Sequence, residues 1–591
     1  MSANANLSKI FDEMAAVLEL TGANPFRVNA HAKVARVLDD LTVDVASLAD
    51  DAKKLTAIEG IGEGSAKKII EYVQTGRVKE HDELVAQVPA GLFDVMQVPG
   101  LGPKTVKMLW EKAGITDIPS LKAALDSDAL TSLPRMGAKT IENIRKSLAF
   151  VATAGERVRL GRAMPIAESL VKAISAVKGV TQVAFAGSLR RGRETIGDID
   201  ILASTKTDAA RKRVAEAFLA MPEVSETIAS GETKCSVRLH AGVQADLRLV
   251  DDAEFGAALL YFTGSKDHNI ALRERAIKRG LRLNEYGLFR EHRSKEGDPP
   301  PQKRGEKPIA SKTEEDIYAA LDLAWIPPEM REARGEIDAA ELSGTLPRLI
   351  GLDDIKAELH AHTIESDGRM TIDELAERAK ARGFHTIAVT DHSKSSAQAN
   401  GLSPERLRKH IDAIREADAR IKGITILAGS EVDIHADGSL DYDDDLLAEL
   451  DIVIASPHAS LRQEPEKATD RLLRAIRHPL VHIIGHPTGR VIQQREGLSP
   501  DLHALIEAAV ECNTALEINS NYMRLDLRDT HVRAAAQAGA LIAINTDAHS
   551  PDDFDQLRYG ILTARRGWLT ATQCINAWPK AKLHSWLKSK R

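Results

Sequence analysis

Residues 187–200 read GSLRRGRETIGDID, from Gly187 to Asp200. Asp198 and Asp200 are separated by one residue, so on an extended strand both carboxylates point to one face and can bind one divalent cation. The small-residue turn at Gly187 and Ser188, followed by three arginines, suits the oxygens of a polyphosphate. The stretch therefore predicts phosphoryl or nucleotidyl transfer by two metal ions.

Length and composition predict a globular protein of several folded units, since 591 residues exceed one ordinary core. Hydrophobic residues make up 43%, and no apolar run approaches the roughly 20 residues that span a bilayer. The N-terminus shows no secretory signal, and the three cysteines lie far apart without zinc or disulfide spacing. We therefore expect a cytoplasmic protein with no membrane contact.

Histidine is unevenly distributed along the chain. Residues 351–591 contain 14 of the 19 histidines, together with 30 Lys and Arg against 36 Asp and Glu. Because imidazole is a common metal ligand, this asymmetry predicts a C-terminal unit with a metal centre.

Three similar N-terminal segments each place glycine directly before a helix: IEGIG at 58–62, VPGLG at 98–102 and a degenerate LPRMG at 133–137. Free N–H groups at a helix start favour a phosphate. The pattern resembles the helix-hairpin-helix, which holds a DNA backbone without reading bases. The alternative is a set of packing elements with glycine caps. The candidate DNA contacts are Gly60, Gly62, Gly64, Gly100, Gly102, Lys104 and Gly137.

A third carboxylate, Asp246, lies on a predicted strand at 243–250 that adjoins another at 231–239. Farther on, YFTGS at 261–265 precedes a helix that carries Asn269 and Arg273. Together with the opening stretch, these motifs resemble the nucleotidyltransferase core of family X DNA polymerases, the group that includes DNA polymerase beta. The likeness runs from about Leu7 to Arg334.

The resemblance implies that Asp198, Asp200 and Asp246 are catalytic and hold two Mg²⁺ ions, with Asp246 helping to activate a primer 3'-hydroxyl. One position departs from the family pattern, because Gln244 stands where the beta enzyme has an arginine two residues before its third catalytic aspartate. The implied contacts with a deoxynucleoside triphosphate are Gly187, Ser188, Arg191, Gly192, Tyr261, Phe262, Gly264, Asn269 and Arg273.

The same resemblance sets Lys68 where the family keeps a Schiff-base lysine that removes a 5'-deoxyribose phosphate. An amine needs desolvation or neighbouring cations for that chemistry. Arg27 and His31 replace other residues of the lyase pocket, and a phosphate-contacting or surface lysine is the alternative.

After residue 350, short apolar strands alternate with amphipathic helices, which predicts a parallel barrel. Metal-binding side chains recur just past the predicted strand ends, and in a barrel such residues converge on one mouth. Nine donors are enough for three metals: His360, His362, Asp367, His392, Glu431, His458, His486, Asp547 and His549.

The order of these residues resembles the polymerase and histidinol phosphatase (PHP) family, a distorted barrel with three Mn²⁺ or Zn²⁺ ions. The resemblance implies one metal on His360, His362, Glu431 and Asp547, a second on Asp367, His392 and His549, and a third on Glu431, His458 and His486. All nine positions are filled, so we expect an active phosphoesterase. The ligands alone do not choose among Mn²⁺, Zn²⁺ and Fe²⁺.

The predicted fold class is multidomain α/β. Helical helix-hairpin-helix domains at 1–85 (lyase-like) and 86–155 precede a palm with a mixed sheet at 156–255 and a nascent-base-pair domain at 256–335. A linker at 336–350 leads to a distorted (β/α) barrel of PHP type at 351–591.

The arrangement implies a monomeric repair polymerase that binds gapped or primed duplex DNA and deoxynucleoside triphosphates. Its barrel would act as a 3'-5' exonuclease or abasic-site endonuclease. Two alternatives stay open, namely a small-molecule phosphomonoesterase tethered to DNA and a DNA-binding scaffold with vestigial catalysis.

Overall fold

The computed structural model describes residues 3–41, 44–58, 60–96, 98, 101–127, 130, 133, 136, 140–141, 144–145, 157–291, 307–341 and 346–590. The chain divides into two compact units, Met1–Glu156 and Arg157–Arg591.

Helices build the first unit. They are α1 (Ala3–Thr21), α2 (Pro25–Asp40), α3 (Ala52–Thr56), α4 (Glu63–Thr75), α5 (Lys79–Val85), α6 (Leu92–Met96), α7 (Pro103–Ala113) and α8 (Ile118–Asp126). Their apolar faces form one core, in which Leu7, Phe11 and Ile69 are fully buried. The two complete glycine motifs end where α4 and α7 begin, because Gly62 and Gly102 are the N-cap residues of these helices. These two predicted helix starts are therefore confirmed, whereas the helix start predicted after 133–137 lies outside the described residues.

The second unit begins with a mixed five-stranded sheet in the order β2-β4-β7-β6-β5. Only β4 and β7 run parallel to each other, whereas the other neighbours are antiparallel. The elements of this palm are β1 (Val158–Arg159), α9 (Leu160–Ser175), β2 (Val180–Phe185), α10 (Gly187–Arg190), β3 (Thr195–Ile196), β4 (Asp198–Thr205), α11 (Asp208–Leu219), β5 (Val224–Ser230), β6 (Lys234–Leu239) and β7 (Gln244–Asp251).

A smaller layer follows the palm. It comprises α12 (Phe255–Thr263), α13 (Lys266–Lys278), the hairpin β8 (Leu281–Asn284) and β9 (Gly287–Arg290), α14 (Glu314–Ala320) and α15 (Glu336–Glu341). At its centre His268 is fully buried and bridges two elements, with Nδ1 2.6 Å from Glu336 Oε1 and Nε2 2.7 Å from the Tyr318 hydroxyl.

Seven parallel strands then follow in sequential order, and a bridge between Ala361 and Ala548 joins the two ends of the sheet. The predicted barrel is confirmed. Its elements are β10 (Ala357–Glu358), α16 (Ile372–Ala381), β11 (Thr386–Val389), α17 (Pro404–Arg420), β12 (Thr425–Asp433), α18 (Asp444–Leu447), β13 (Ile452–Ser456), α19 (Pro465–Ile476), β14 (Ile483–Ile484), α20 (Leu502–Glu511), β15 (Ala515–Asn519), α21 (Asp529–Ala538), β16 (Ile542–Asn545), α22 (Leu557–Arg566) and α23 (Lys580–Ser589).

Candidate active sites

The first site is a carboxylate cluster at the start of the parallel pair β4 and β7. Their register sets Asp200 beside Asp246, and Asp198 begins β4 two residues earlier. One oxygen from each of the three carboxylates lies within 4.8 Å of the others. The structure therefore brings together the three acidic residues predicted from sequence, in a spacing that one or two divalent cations fit.

Electrostatics support a cation at this cluster. Burial raises the pKa of Asp200 to about 7, and repulsion from Asp198 and Asp246 adds to the effect. The pKa of Asp198 is also raised, first by burial and then by Asp246. Three carboxylates that repel one another in a half-buried site are the donor set that Mg²⁺ prefers.

Two side chains occupy both oxygens of Asp246: Gln244, which departs from the family pattern, and Lys234, which sequence reasoning did not select. Lys234 Nζ lies 2.6 Å from Asp246 Oδ2, and Gln244 Nε2 donates to Oδ1 at 2.9 Å. Lys234 is the first residue of β6, the antiparallel neighbour of β7. The sequence signal was weak, because only the strand register reveals that this lysine reaches the carboxylate.

The turn after β2 is shaped by Gly187, which adopts a left-handed conformation with φ +63°. A Cβ atom at this position would lie 2.4 Å from Asp200 Oδ2. The close approach explains why only glycine fits, and it places the predicted phosphate turn, including Ser188 in α10, directly beside the carboxylates.

Arg191, predicted to contact a triphosphate, is engaged within the protein. Its Nε donates to Glu332 Oε1 at 3.0 Å and its Nη1 donates to the Thr263 carbonyl at 2.5 Å. Gly192 follows with φ +66°, and a Cβ there would lie 3.1 Å from Leu562 of α22. The predicted triphosphate turn therefore packs against the barrel unit, and its triphosphate role stays a prediction.

The predicted sugar and base contacts lie around the junction of α12 and α13. Tyr261 is 37% exposed, and the Phe262 ring holds the Arg248 guanidinium 4.0 Å from its centroid. Asn269 Nδ2 donates to the Tyr261 carbonyl at 2.7 Å. Arg273 is exposed four residues later on α13, and Gly264 has φ +68°. The structure brings these residues to one region, although their contacts with a nucleotide stay a prediction.

The second site lies at the carboxyl ends of the barrel strands. His360 and His362 follow β10, Glu431 lies near the end of β12, and the remaining ligands follow β11, β13, β14 and β16 or lie in the first loop. Glu431 is central, with His486 Nε2 2.8 Å from Oε1 and His392 Nδ1 2.9 Å from Oε2. The nine predicted donors thus converge on one cluster, which is buried except at Asp367, His458 and His549.

The grouping of donors differs in detail from the implied assignment. His360, His362, Glu431 and Asp547 form the first group as implied. The second group contains His362 as well as Asp367, His392 and His549. In the third, His392 accompanies Glu431 and His458, whereas His486 approaches through Glu431. His362 and His392 therefore each belong to two of the three groups, an arrangement that suits closely spaced ions.

Orphaned buried atoms test whether cations fit this cluster. Both ring nitrogens of His362, Nε2 of His360, Oε2 of Glu431 and Oδ1 of Asp547 are buried without a hydrogen-bond partner. Buried polar atoms are rarely left unpaired, and an ion is one of the partners that explains such atoms. Imidazole and carboxylate donors suit Mn²⁺, Zn²⁺ or Fe²⁺, so the residues fit a divalent metal.

The pKa values of the histidines diverge within the cluster. Burial opposes charge on His360, yet Glu517, Asp547 and Glu431 hold its pKa well above the usual range. Burial, assisted by His549 and His392, lowers the pKa of His362 to about 4. Strong coupling between neighbouring ionisable groups is characteristic of functional sites.

Supporting carboxylates, which the sequence reasoning missed, orient two of these histidines. Glu517 Oε1 lies 2.8 Å from His360 Nδ1, and Asp433 Oδ1 lies 2.8 Å from His458 Nδ1. Each contact fixes the imidazole so that Nε2 faces the cluster. The only signal in the sequence was a single acidic residue within or at the end of an apolar strand.

Comparisons with known proteins give a full-length relative. The chain is 38% identical over 586 residues to the DNA polymerase/3'-5' exonuclease PolX of Bacillus subtilis (strain 168), covering 99% of this chain and 99% of that protein. This chain belongs to the PolX family.

Family profiles match the DNA polymerase beta thumb at 258–332, a PHP domain at 358–521, a helix-hairpin-helix domain at 2–78 and a SAM-like helix-hairpin-helix tandem at 93–149. A probable phosphatase of Thermoanaerobacter sp. (strain X514) is 29% identical over 246 residues, which are 40% of this chain and 95% of that protein. A probable phosphatase of Shewanella sediminis (strain HAW-EB3) is 28% identical over 236 residues, 38% of this chain and 91% of that protein.

The glycines predicted to contact DNA are described in part. Gly60 has φ +100°, Gly62 caps α4 and Gly64 lies in its first turn, while Gly102 caps α7. Lys104 lies in the first turn of α7, and Gly100 and Gly137 lie outside the described residues. Family membership with helix-hairpin-helix domains establishes DNA binding, whereas the individual glycine contacts stay predictions.

Lys68, the candidate Schiff-base lysine, is 16% exposed on α4. Its Nζ lies 2.9 Å from Glu80 Oε2, and Arg27 Nη2 lies 2.7 Å from Glu80 Oε1. His31, on α2, is a further neighbour whose pKa is lowered, first by burial. Glu80 therefore pairs with both cations, and the Schiff-base role of Lys68 stays a prediction.

None of the helices in the described ranges is long and apolar enough to cross a bilayer.

Proposed function

We propose that this chain is a DNA-directed DNA polymerase with a separate 3'-5' exonuclease centre. The observation that carries the proposal is the presence, in a chain of the PolX family, of two complete donor clusters, the three palm carboxylates and the histidine-rich barrel mouth. The finer proposal is that the enzyme fills short gaps during base excision repair and trims 3' ends or cuts at abasic sites.

In the palm, Asp198, Asp200 and Asp246 would hold two Mg²⁺ ions, which when bound lower the pKa of an attacking hydroxyl and offset charge on a leaving pyrophosphate. Asp246 would orient the primer 3'-hydroxyl, since its two oxygens are already positioned by Lys234 and Gln244. Gly187 lets the turn approach Asp200 Oδ2 closely, which would set Ser188 beside the carboxylates. Tyr261 and Phe262 would pack against the deoxyribose of the incoming nucleotide.

In the barrel, the nine donors would hold up to three Mn²⁺ or Zn²⁺ ions, which when bound supply a nucleophile at neutral pH and offset charge on the phosphorus oxygens. Glu517 and Asp433 would keep His360 and His458 in the tautomer that binds a cation. Because most of these ligands are buried, the barrel admits a strand end more readily than a duplex interior.

The test compares the wild type with Asp200→Ala and His360→Ala on a gapped duplex labelled at the 3' end. We expect Asp200→Ala to lose extension and His360→Ala to lose 3' degradation, each by more than 100-fold, with the other activity retained. Persistent 3' degradation in His360→Ala would show that the barrel is not the nuclease.

The same proteins should also be assayed with a phosphomonoester substrate, because two probable phosphatases are similar to the barrel. Activity that is confined to phosphomonoesters would favour a small-molecule phosphatase tethered to a DNA-binding region. Absent extension under all conditions would favour a scaffold with vestigial catalysis.

A further inference from the structure

One barrel loop connects the two candidate centres. It begins directly after the ligand His486, and its residues 487–497 reach the palm. Arg159 of β1 donates from Nε and Nη2 to the Ile492 carbonyl at 2.9 and 2.6 Å, and Gln493 Nε2 donates to the Arg157 carbonyl. The loop therefore fixes the mouth of the barrel beside the edge of the palm.

The segment 523–526 is bonded to this loop, because the Ile492 N–H donates to the Met523 carbonyl and the Thr488 N–H donates to Asp526 Oδ2. Five arginines lie on the loop or on the segments next to it: Arg157, Arg193, Arg495, Arg524 and Arg528. We call them the arginine strip. Within the described ranges, only one of them, Arg193, lies within 4.0 Å of a carboxylate, at 3.7 Å from Glu332. The guanidinium of Arg157 donates to Thr195 and that of Arg495 to the Gly489 carbonyl, so both are held by neutral groups. Arg528 Nε is buried without a hydrogen-bond partner.

The strip begins at the palm carboxylates and ends at the barrel cluster. Arg157 lies beside the palm carboxylates, because it donates to Thr195 and its Nη1 would lie 3.1 Å from a Cβ atom at Gly197, the residue before Asp198. At the other end, burial and then Arg524 lower the pKa of Arg495. Asp526, two residues after Arg524, accepts at Oδ2 from the N–H and the hydroxyl of Thr488, which lies two residues after His486.

Apart from Arg193, these guanidinium groups have no carboxylate within 4.0 Å among the described residues, and a bound anion would relieve the repulsion between neighbours. Each guanidinium presents a planar fork that matches a phosphate in bidentate fashion. A succession of such forks matches a succession of phosphates rather than a single small anion.

We propose that the arginine strip binds the single-stranded 3'-terminal segment of a DNA strand on its way from the palm carboxylates to the barrel cluster. The proposal rests on the proposed function, because it requires both centres to act on one strand. A single strand is the fitting partner, since the end must leave its duplex to reach ligands buried in the barrel mouth.

The experiment uses the full chain with Arg495→Gln/Arg524→Gln, the charge-retaining Arg495→Lys/Arg524→Lys, and Arg378→Gln/Arg477→Gln as a matched control. Arg378 and Arg477 are exposed residues of the same barrel unit outside the strip. Binding of a duplex with an unpaired 3' tail is measured by fluorescence anisotropy in EDTA across a salt series. Degradation of the tail and hydrolysis of bis(p-nitrophenyl) phosphate are measured with Mn²⁺.

We expect the glutamine pair to degrade the 3' tail more than tenfold more slowly and to hydrolyse the small diester at the wild-type rate. Losing two phosphate contacts should reduce the slope of log K against log salt by roughly 1.4. The lysine pair should retain most of the binding, and the control pair should match the wild type.

If the glutamine pair binds and degrades the tail as the wild type does, the proposed role of the arginine strip is wrong. Equal loss of small-diester hydrolysis and tail degradation would also overturn it, because the barrel centre itself would then be damaged. If the wild type degrades no 3' tail but hydrolyses the small diester, the proposed exonuclease function fails instead, and tail binding in EDTA still decides whether the strip holds a strand.

Discussion

Lys234 Nζ lies 2.6 Å from Asp246 Oδ2, so a fixed cation already sits on one of the three palm carboxylates. The lysine offsets one negative charge and competes with a divalent ion for the same oxygen. Lys234→Met should therefore bind Mn²⁺ about tenfold more tightly, equivalent to about 1.4 kcal/mol, because the side chain is 40% exposed and its charge partly screened.

Electron paramagnetic resonance of free Mn²⁺ measures this affinity in Asp547→Asn, a background that weakens the barrel cluster. Lys212→Met, which removes an exposed charge from α11, is the control and should bind as its parent does. Unchanged or weaker Mn²⁺ binding in Lys234→Met would mean that the lysine supports the metal site rather than competing with the ion.

Glu332 joins the palm to the barrel through two arginines. Its Oε1 accepts from Arg191 Nε at 3.0 Å and from Arg566 Nη1 at 2.8 Å. Although burial opposes the charge, Arg566, Arg191 and Arg193 lower the pKa of Glu332 to about 2. Glu332→Gln leaves the Arg191 guanidinium without its anion, whereas Arg566 keeps Asp529 as a partner. We therefore expect a loss of about 3 kcal/mol in the free energy of unfolding.

Urea denaturation followed by tryptophan fluorescence measures that loss. Glu216→Gln removes a carboxylate that is 63% exposed and should change stability by less than about 0.5 kcal/mol. A loss below about 1 kcal/mol in Glu332→Gln would indicate that the ionic cluster does not hold the interface.

The sequence predicted best where a site is local or periodic. Asp198 and Asp200 share one strand, and the barrel ligands recur at strand ends. Residues that recur regularly along the sequence therefore lie close together in the fold. Lys234, Glu332 and Glu517 could not be predicted, because each is a single residue whose partner depends on strand register or on packing between distant segments. Arg191 has a recognisable motif position, yet its neighbour Glu332 lies 141 residues away.

Glu517 supports the barrel cluster without belonging to it. It accepts from His360 Nδ1 at 2.8 Å, from Asn545 Nδ2 at 2.9 Å and from the His486 backbone N–H at 2.8 Å. Glu517→Gln keeps the shape and removes the charge, so metal affinity and 3' degradation should both fall by about 10–100-fold.

Metal content after dialysis, measured by mass spectrometry, and extension of a gapped primer separate this effect from misfolding. Extension should be unchanged, as it should be in the control Glu507→Gln, which alters a side chain that is 65% exposed on α20. A variant that keeps its full metal content would show that Glu517 does not tune the ligands.

Acid should weaken the layer around His268, which is buried against Tyr318 and Glu336, with Arg331 and Glu332 nearby. Burial lowers the pKa of His268, so below pH 6.5 the unfolded chain binds a proton that the folded chain does not. Stability is therefore unaffected above about pH 7 and falls as the pH drops, by at most about 1.4 kcal/mol per unit.

His268→Phe removes this titration while keeping a ring in the cavity. The variant should be less stable at pH 8 but should lose less stability than the wild type between pH 7 and 5, as measured by thermal unfolding. Its partner Glu336 has a lowered pKa and adds its own loss only below about pH 4.5. Parallel pH profiles for the two proteins would contradict the assignment.

Lys68 offers the sharpest test of lyase chemistry, because a Schiff base to an abasic sugar can be trapped irreversibly by borohydride. Its Nζ is 2.9 Å from Glu80, and the adjacent Lys67 is exposed on the same helix, where neighbouring side chains point apart. If Lys68 is the nucleophile, Lys68→Ala should lose roughly 90% or more of the adduct with 5'-deoxyribose phosphate DNA, because the covalent catalyst is removed, whereas Lys67→Ala should form the adduct normally.

Gap filling should persist in both variants, since the palm carboxylates are untouched. An adduct that survives in Lys68→Ala would assign the chemistry to another amine, and an adduct that is missing from the wild type would leave Lys68 as a residue that binds Glu80 and a DNA phosphate.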